Sequence, residues 1–560
     1  MAHVVRPSVD RRARGAFFTP PLIADFLAAW AVSKNPDAVV LDPTCGEAVF
    51  LLSAGRRLLH LGRAADDLAS QLLGVDLHEE SLSEAGALLA SEGMSANLVH
   101  SDFFGVPTPD QLGCPFPLVD AVIGNPPFVR YQQHIGEDRR RSRQAALRQG
   151  VRLSGLASSW AAVLVHACAF LKPEGRLAIV LPAELLTVHY AQPIRRWLKR
   201  RFAAVNLVMF ERLQFADAME NVVLLLARGS GGCDAFTLDI VDDAADLAGI
   251  ERLEQLAVTP TEEGKWTDLL IPVAQRQLFR RVSEEKFVRL EEYGRPELGT
   301  VTGKNNYFTL SEETRCVFDL SEDQVVQVSP PGTRHLRGLT FSAADWRQLR
   351  DDGERVWLLH PDPLDDSPGL LRYIEEGEKQ GVHEAYKCQV RTPWWRPPLG
   401  AAPDLFFTYM SHRYPRLVAN RARVHCINSM HGIRLAHGVP RQAISSLPLL
   451  ALNSVTMLGA ELHGRSYGGG ILKMEPREAA SLPVPDPALL GKAWERLGPE
   501  RDSLDRQLRD GRWTSVLARV DEVLLRDAAG LDADQVDGLR AAARSLRERR
   551  MRRPVGSDGE

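Results

Sequence analysis

Asn125-Pro126-Pro127-Phe128 brings together residue types that can do chemistry on an aromatic amine. They follow the apolar, β-branched run 118–124, which reads as a buried strand ending in Gly124 and so places them at a strand's C-terminal edge. Consecutive prolines hold the backbone extended and cannot continue a ladder. The Asn125 amide and the Pro126 carbonyl then form a rigid pair of acceptors. Two acceptors bonded to the two hydrogens of a ring amine favour a more tetrahedral nitrogen, whose lone pair can attack an electrophilic methyl carbon. Phe128 supplies a face on which a base that has left its duplex can stack, worth roughly 1–3 kcal/mol. An ordinary strand-to-loop turn is the plain alternative.

The elements that must position such a clamp precede it. Residues 15–20, Gly-Ala-Phe-Phe-Thr-Pro, come just before an amphipathic helix, and the Thr19 hydroxyl can cap that helix or touch a ligand. Residues 38–42 read as a strand ending in Asp42, followed by the small-residue loop Pro43-Thr44-Cys45-Gly46 and a helix through residue 59. Strand, loop and helix in that order expose backbone amides to a cofactor, and a lone glycine disfavours a dinucleotide. Further strands at 71–76 and 97–100 deliver Asp76, placed to accept ribose hydroxyls, and Asp102-Phe103, placed for an adenine amino group and its ring. Asp42, Asp76, Asp102 and Asn125 therefore recur along one rim of a parallel sheet, where ligands are expected. Strands at 176–182, 205–210 and 222–227, the last two a hairpin around Phe215, complete seven strands of an α/β domain by about residue 230.

At 560 residues, 44% of them hydrophobic, the chain should hold two or three domains with sizeable cores. No apolar stretch approaches a membrane span or signal peptide, and seven scattered cysteines without a Cys-x-x-Cys pair favour neither zinc nor a disulfide framework. A reducing cytoplasm and no membrane partner fit these features. The net charge of −4 does not announce a nucleic-acid partner, but a local basic face matters more than the sum. Basic clusters at 139–141, 195–201 and 544–553 read first as solvated helix faces.

In their order, Gly15 to Pro20, Asp42-Pro43-Thr44-Cys45-Gly46, Asp102-Phe103-Phe104 and Asn125-Pro126-Pro127-Phe128 resemble the gamma-class DNA adenine-N6 methyltransferases of restriction-modification systems. The resemblance implies a Rossmann-like class I methyltransferase domain whose donor is S-adenosyl-L-methionine. Thr19, Asp42, Thr44, Cys45 and Gly46 would surround the methionine end, Asp76 the ribose, and Asp102 and Phe103 the adenine. Asn125, Pro126 and Pro127 would hold the target amine, with Phe128 and Phe215 stacking on the flipped base. Two departures stand out: Ala48 replaces the family's usual second glycine, and Phe128 its commoner tyrosine. No metal is called for. The Pro-Cys nucleophile of cytosine-C5 enzymes is also missing, since Gly113 precedes Cys114.

Residues 302–308, 464–470 and 473–476 resemble target-recognition segments of the same enzymes. The expected organisation is a catalytic domain at 1–230, a linker and the start of the recognition region at 231–284, a mixed α+β recognition domain at 285–485, a helical segment at 486–549 and a disordered tail at 550–560. Forked and aromatic side chains suited to reading duplex DNA are Lys304, Asn305, Asn306, Arg391, Trp394, Trp395, Arg413 and Arg416, although either tryptophan reads as readily as core. The partners expected are double-stranded DNA and either a separate restriction endonuclease or none, with the chain a monomer. Readings that change the substrate are an RNA base or a protein glutamine amide. A different class of reading is a catalytically silent DNA-binding specificity module.

Overall fold

The computed structural model describes residues 19–129, 136–155, 157–210, 222–252, 256–258, 265–467 and 470–551. The chain divides into two compact units, one within Met1–Leu270 and one within Ile271–Met551.

The first unit begins with α1 (Pro21–Val32), β1 (Val40–Asp42), α2 (Val49–His60), β2 (Leu72–Asp76), α3 (Glu79–Ser91), β3 (Asn97–His100) and β4 (Val119–Gly124). It continues with α4 (Gly136–Arg148), α5 (Ser159–Ala167), β5 (Leu171–Pro182), α6 (Gln192–Arg201), β6 (Ala204–Phe210), β7 (Val222–Arg228), β8 (Phe236–Val241) and β9 (Leu256–Val258). The strands form one sheet in the order β3-β2-β1-β4-β5-β7-β6-β8-β9. Neighbours from β3 to β5 are parallel, and β7 lies antiparallel between β5 and β6.

Side chains alternate across a strand, so each central strand feeds both faces of a doubly covered sheet. Leu41, Leu73, Val75, Val122, Leu177 and Ile179 pack on one face with Trp160 and Leu164 of α5 and Ile194 and Leu198 of α6. Val40, Leu72, Ala121, Ile123, Ala178 and Val180 pack on the other with Ile23 and Leu27 of α1, Phe50 and Leu51 of α2, and Leu89 of α3. The chain runs outward from β1 to β3, then returns to place β4 on the other side of β1. That reversal between β1 and β4 is the switch point at which open α/β sheets bind ligands. Asp42 ends one of these strands and Asn125 follows the other.

The sheet does not close near residue 230. Strand β8 pairs parallel with β6, and β9 pairs antiparallel with β8. Trp266 then packs edge to face on Phe236 at 4.8 Å, and its amide donates to the Leu186 carbonyl. Apolar residues in a stretch rich in Asp, Ala and Gly are what carry the unit on to about Leu270.

The second unit opens with a helix at Val273–Lys286, overlapping the end of the stretch expected as linker and start of the recognition region. Its main sheet has five short strands in the spatial order Pro296–Leu298, His431–Ile433, Leu405–Phe407, Leu417–Asn420 and Thr340–Phe341. The unit's other sheets have two or three strands each. Its C-terminal part is helical, at Pro487–Leu497, Arg501–Arg509, Trp513–Val520, Asp521–Ala528 and Ala533–Met551. Buried Asp521 accepts from the Ser454 amide (2.8 Å) and hydroxyl (2.6 Å) and from Arg540 Nη2 (2.8 Å), tying two of these helices together. Residue 550 is not tail: Arg550 is buried and pairs with buried Glu461 at 2.8 Å.

Candidate active site

Asn125 is placed by β4, whose last residue must be glycine. Gly124 has φ +149°, and a Cβ there would lie 2.7 Å from Asp42 Oδ1. The close approach of β4 to the end of β1 brings Asn125 and Asp42 together. Asn125 Nδ2 donates to Thr19 Oγ1 at 3.2 Å. Thr19 is therefore not the cap of α1, whose first position is proline and whose N-terminus carries no side-chain cap. Its bond fixes which way the Asn125 amide faces. Asn125 Oδ1 is left buried with no hydrogen-bond partner. Pro126 is buried, while Pro127 and Phe128 are half-buried.

The loop after β1 carries a set of similarly unspent groups. Asp42 Oδ1 accepts from the Thr44 amide at 3.1 Å, while Asp42 Oδ2 and Thr44 Oγ1 are buried without partners. Burial pushes the Asp42 carboxyl up to about 8, against the Thr44 amide that stabilises its charged form, and the nearby Asp76 charge adds to the rise. Burial likewise raises the Cys45 thiol, with help from Asp42 and Asp76, so Cys45 is an inert wall. Gly46 has φ +52° with nothing within 4 Å of a Cβ placed on it, leaving its backbone open to a ligand. Asp76 accepts from the amides of Gly46 (2.9 Å) and His78 (2.9 Å), which hold the carboxylate in place with lone pairs to spare for hydroxyls.

Ala48 stands where the resemblance led one to expect glycine, and it takes the left-handed conformation at φ +63°. A non-glycine residue there costs about 1–2 kcal/mol. Its fully buried methyl returns roughly 0.8 kcal/mol. Ala48→Gly is therefore expected to shift stability by less than about 1 kcal/mol, because these terms and glycine's extra unfolded-state entropy offset one another. Ala48→Val, branched and left-handed in a filled site, should lower the thermal midpoint by several degrees, on the order of 2 kcal/mol or more. Calorimetry of the two variants checks this.

Asp102 accepts from the Phe104 amide at 3.1 Å and lies 3.6 Å from Arg141 Nη1 of α4. Phe103 is turned inward more than a ring-stacking role suggests. It is 4% exposed and packs on His166 and Phe170 at 4.8 and 5.6 Å. The half-exposed ring in this motif is Phe104. Burial holds the His166 imidazole below its ordinary pKa, partly countered by the backbone of Val106 and Phe103. Phe215, expected as the second base-stacking aromatic, lies outside the described residues.

One residue that sequence reasoning missed braces the clamp from behind. Ser159, the first residue of α5, accepts from the Val129 amide at 2.9 Å and donates to the Pro127 carbonyl, and its own amide bonds the Val129 carbonyl at 3.1 Å. One turn of α5 thus holds both sides of Phe128. Below it, Tyr190 donates to Glu184, hydrogen-bonds Ser158 Oγ at 3.1 Å and accepts from Trp160 Nε1 at 3.2 Å. The apolar helix pattern gives no sign of this role; a serine pair opening a helix is the signal available. Ser159→Ala should lower kcat for methyl transfer about 10-fold while leaving donor affinity within twofold, as steady-state kinetics and donor titration would show.

In the second unit the expected DNA readers divide. Lys304 and Asn306 are exposed, with Asn306 accepting from Arg355 at 2.6 Å. Asn305 is a strut, accepting from Thr302 Oγ1 at 2.5 Å and donating to Asn428 Oδ1 at 3.1 Å. Arg391 donates to the Thr302 carbonyl and lies over Phe308 at 4.9 Å, with Nε and Nη1 buried and unpartnered. Trp394 is half-buried at the edge of the core, packing on Tyr307 at 5.6 Å and bonding Glu378 at 3.3 Å. Trp395 is half-buried. Arg416 is directed into the fold, donating to the Arg337 carbonyl at 2.9 Å, whereas Arg413 is exposed. The sequence set therefore splits into internal supports and a smaller exposed group.

A mostly parallel sheet with a 3-2-1-4-5-7-6 core, a small-residue loop after β1 and Asn-Pro-Pro-Phe after β4 is the arrangement of a class I methyltransferase. Residues 7–232 match the N-6 DNA Methylase family, and residues 263–525 match the C-terminal domain of Type II methyltransferase M.Eco57I. The chain belongs to these N6-adenine DNA methyltransferases, a family whose methyl donor is S-adenosyl-L-methionine. It is 24% identical over 488 residues to Type II methyltransferase M.XamI of Xanthomonas campestris pv. amaranthicola, covering 84% of this chain and 85% of that one. It is 21% identical over 499 residues to Type II methyltransferase M.AccI of Acinetobacter calcoaceticus, covering 87% and 88%. The solved structure of the Type IIL restriction-modification enzyme MmeI in complex with DNA shares the fold, with TM-score 0.60 and 14% identity over 97% of this chain and 80% of that one.

Proposed function

We propose that this enzyme methylates N6 of an adenine flipped out of duplex DNA at one sequence, as the modification partner of a separate restriction endonuclease. Asn125 Oδ1 and the Pro126 carbonyl accept the two amine hydrogens, and Phe128 stacks on the extruded base. Phe215 is assigned the second stacking face by resemblance alone. The residues around the switch point fit S-adenosyl-L-methionine: Asp42 and Thr44 have unspent polar atoms for its amino-acid end, Asp76 for its ribose, and Asp102 with the Phe103 and Phe104 edge for its adenine. When bound, that donor supplies an electrophilic methyl on a sulfonium. The protein's part is to hold the amine in line with it and to exclude water.

The observation that carries this reading is the buried, partnerless Asn125 Oδ1, whose orientation is set by the Thr19 bond. A buried acceptor left unsatisfied costs about 1–3 kcal/mol, a cost a substrate amine removes on binding. We assign the chain a monomeric state, since reading an asymmetric site needs no second copy, and a cytoplasmic location, where bacterial DNA lies. Single-molecule sequencing of DNA from a methylation-free bacterial host expressing the chain tests the proposal. N6-methyladenine in one sequence context, absent with Asn125→Ala, supports it. No mark with either chain, from protein that binds the donor, would move the substrate to an RNA base or a protein amide.

A further inference from the structure

Arginines crowd around two aromatic rings on one face of the second unit. Tyr414 and Trp513 meet edge to face at 5.6 Å. The Arg547 guanidinium lies 5.4 Å from the centroid of each ring, and Arg413 lies 5.7 Å from that of Trp513. Arg544 is one helical turn before Arg547, exposed, and its charge reaches Tyr414. The residues come from three separate parts of the chain: the loop near 413, the helix Trp513–Val520 and the last helix, Ala533–Met551.

The cluster is held in place. Arg550 donates to the carbonyls of His412 and Arg413, each at 3.3 Å, and to that of Gly470, while bonding both carboxylate oxygens of buried Glu461 at 3.0 and 2.8 Å. The loop is thereby fastened to the end of the last helix. Glu461, the acid whose charge reaches Tyr414, is already engaged by Arg550. Among the described residues Arg413, Arg544 and Arg547 have no carboxylate within ion-pair distance; the one acid whose charge reaches Arg547 is Glu461, which Arg550 already holds, so positive charge is in excess here. A guanidinium lying on a ring keeps its donors free and loses little further entropy when an anion arrives.

We propose that Arg413, Arg544 and Arg547 grip the phosphate backbone of the duplex rather than its base edges. This deepens the DNA reading above and rests on it. A base reader is a single fork beside other discriminating polar groups. Here three cations present a continuous positive surface, which matches a linear polyanion whatever its sequence. Arg413 thereby changes role from the base reader expected of it, and the arginines of the last helix join it.

Binding of a fluorescent duplex carrying the mapped site, and of an unrelated duplex, is to be measured from about 50 to about 200 mM salt. Replacing all three arginines by Gln should make the slope of log affinity against log salt shallower by about 2.7. Both duplexes should weaken alike, with the methylated motif and donor affinity unchanged. Lysine at the same three positions should retain the slope, and matching thermal midpoints of the two triple variants would show that the fold is intact. An unchanged slope, or a motif relaxed at one base pair, would overturn the proposal. A wild-type chain that methylates no DNA and binds no duplex overturns the DNA reading, and this surface with it.

Discussion

Asn125→Ala should reduce methyl transfer by about 1,000-fold or more in kcat while leaving donor affinity within twofold. Loss of one preorganised group that acts at the reacting atom typically costs 100- to 1,000-fold. Here the same change also frees Thr19, whose bond to Asn125 Nδ2 orients the site. The donor contacts proposed for Asp42, Thr44 and Asp76 remain. Asn125→Asp separates the two contributions, because it keeps an acceptor but loses the donor to Thr19. We expect a loss between wild type and alanine, near 10- to 100-fold, measured with a radiolabelled donor under single-turnover conditions. Equal and complete losses in both variants would mean that orientation by Thr19, not the acceptor itself, is what matters.

The second large effect is at Asp42 and depends on pH. Its carboxyl is raised to about 8 by burial. A carboxyl raised on folding stabilises the native state below its unfolded pKa of about 4, and that contribution is lost as pH rises to about 8. A cationic amine beside Asp42 would favour the charged form, so donor binding between pH 6 and 8 releases a proton. Donor affinity should climb toward tenfold per pH unit across that window. It should then fall above about pH 8, where an α-amino group itself loses its proton. Asp42→Asn should flatten both the stability and the affinity profiles in this window. At pH 8 it should weaken the donor about 10- to 100-fold, the range of a lost charge-assisted hydrogen bond. Thermal unfolding and donor titration across pH test the two halves separately. A wild-type affinity flat from pH 6 to 8 would place the ammonium elsewhere.

Consecutive residues sufficed wherever the chemistry is local. The apolar runs that end in Asp42, Asp76 and Gly124, and the prolines that stop β4, encode strand ends through unbroken apolar character and lost amides, properties of neighbours in sequence. Four polar residues on one rim follow from that alone. The clamp was legible for the same reason, because its rigidity lies within its own four residues.

Only the tertiary structure decided how each side chain is used, since that depends on partners far along the chain. Thr19 could cap a helix or face a ligand until packing set it against Asn125, more than a hundred residues away. Phe103 and Phe104 look alike in sequence, but Phe103 is buried against His166 and Phe170 while Phe104 stays half-exposed at 6.0 Å from His166. Ser159 became a brace through the folding of α5 under the clamp. Arg391 and Trp394 resemble readers but sit against Phe308 and Tyr307, while Arg547, a surface arginine by sequence, meets Arg413 over Trp513. Local patterns specify which elements form, because backbone geometry is set by near neighbours. The burial, charge state and bonding of a side chain are set by what folding packs around it.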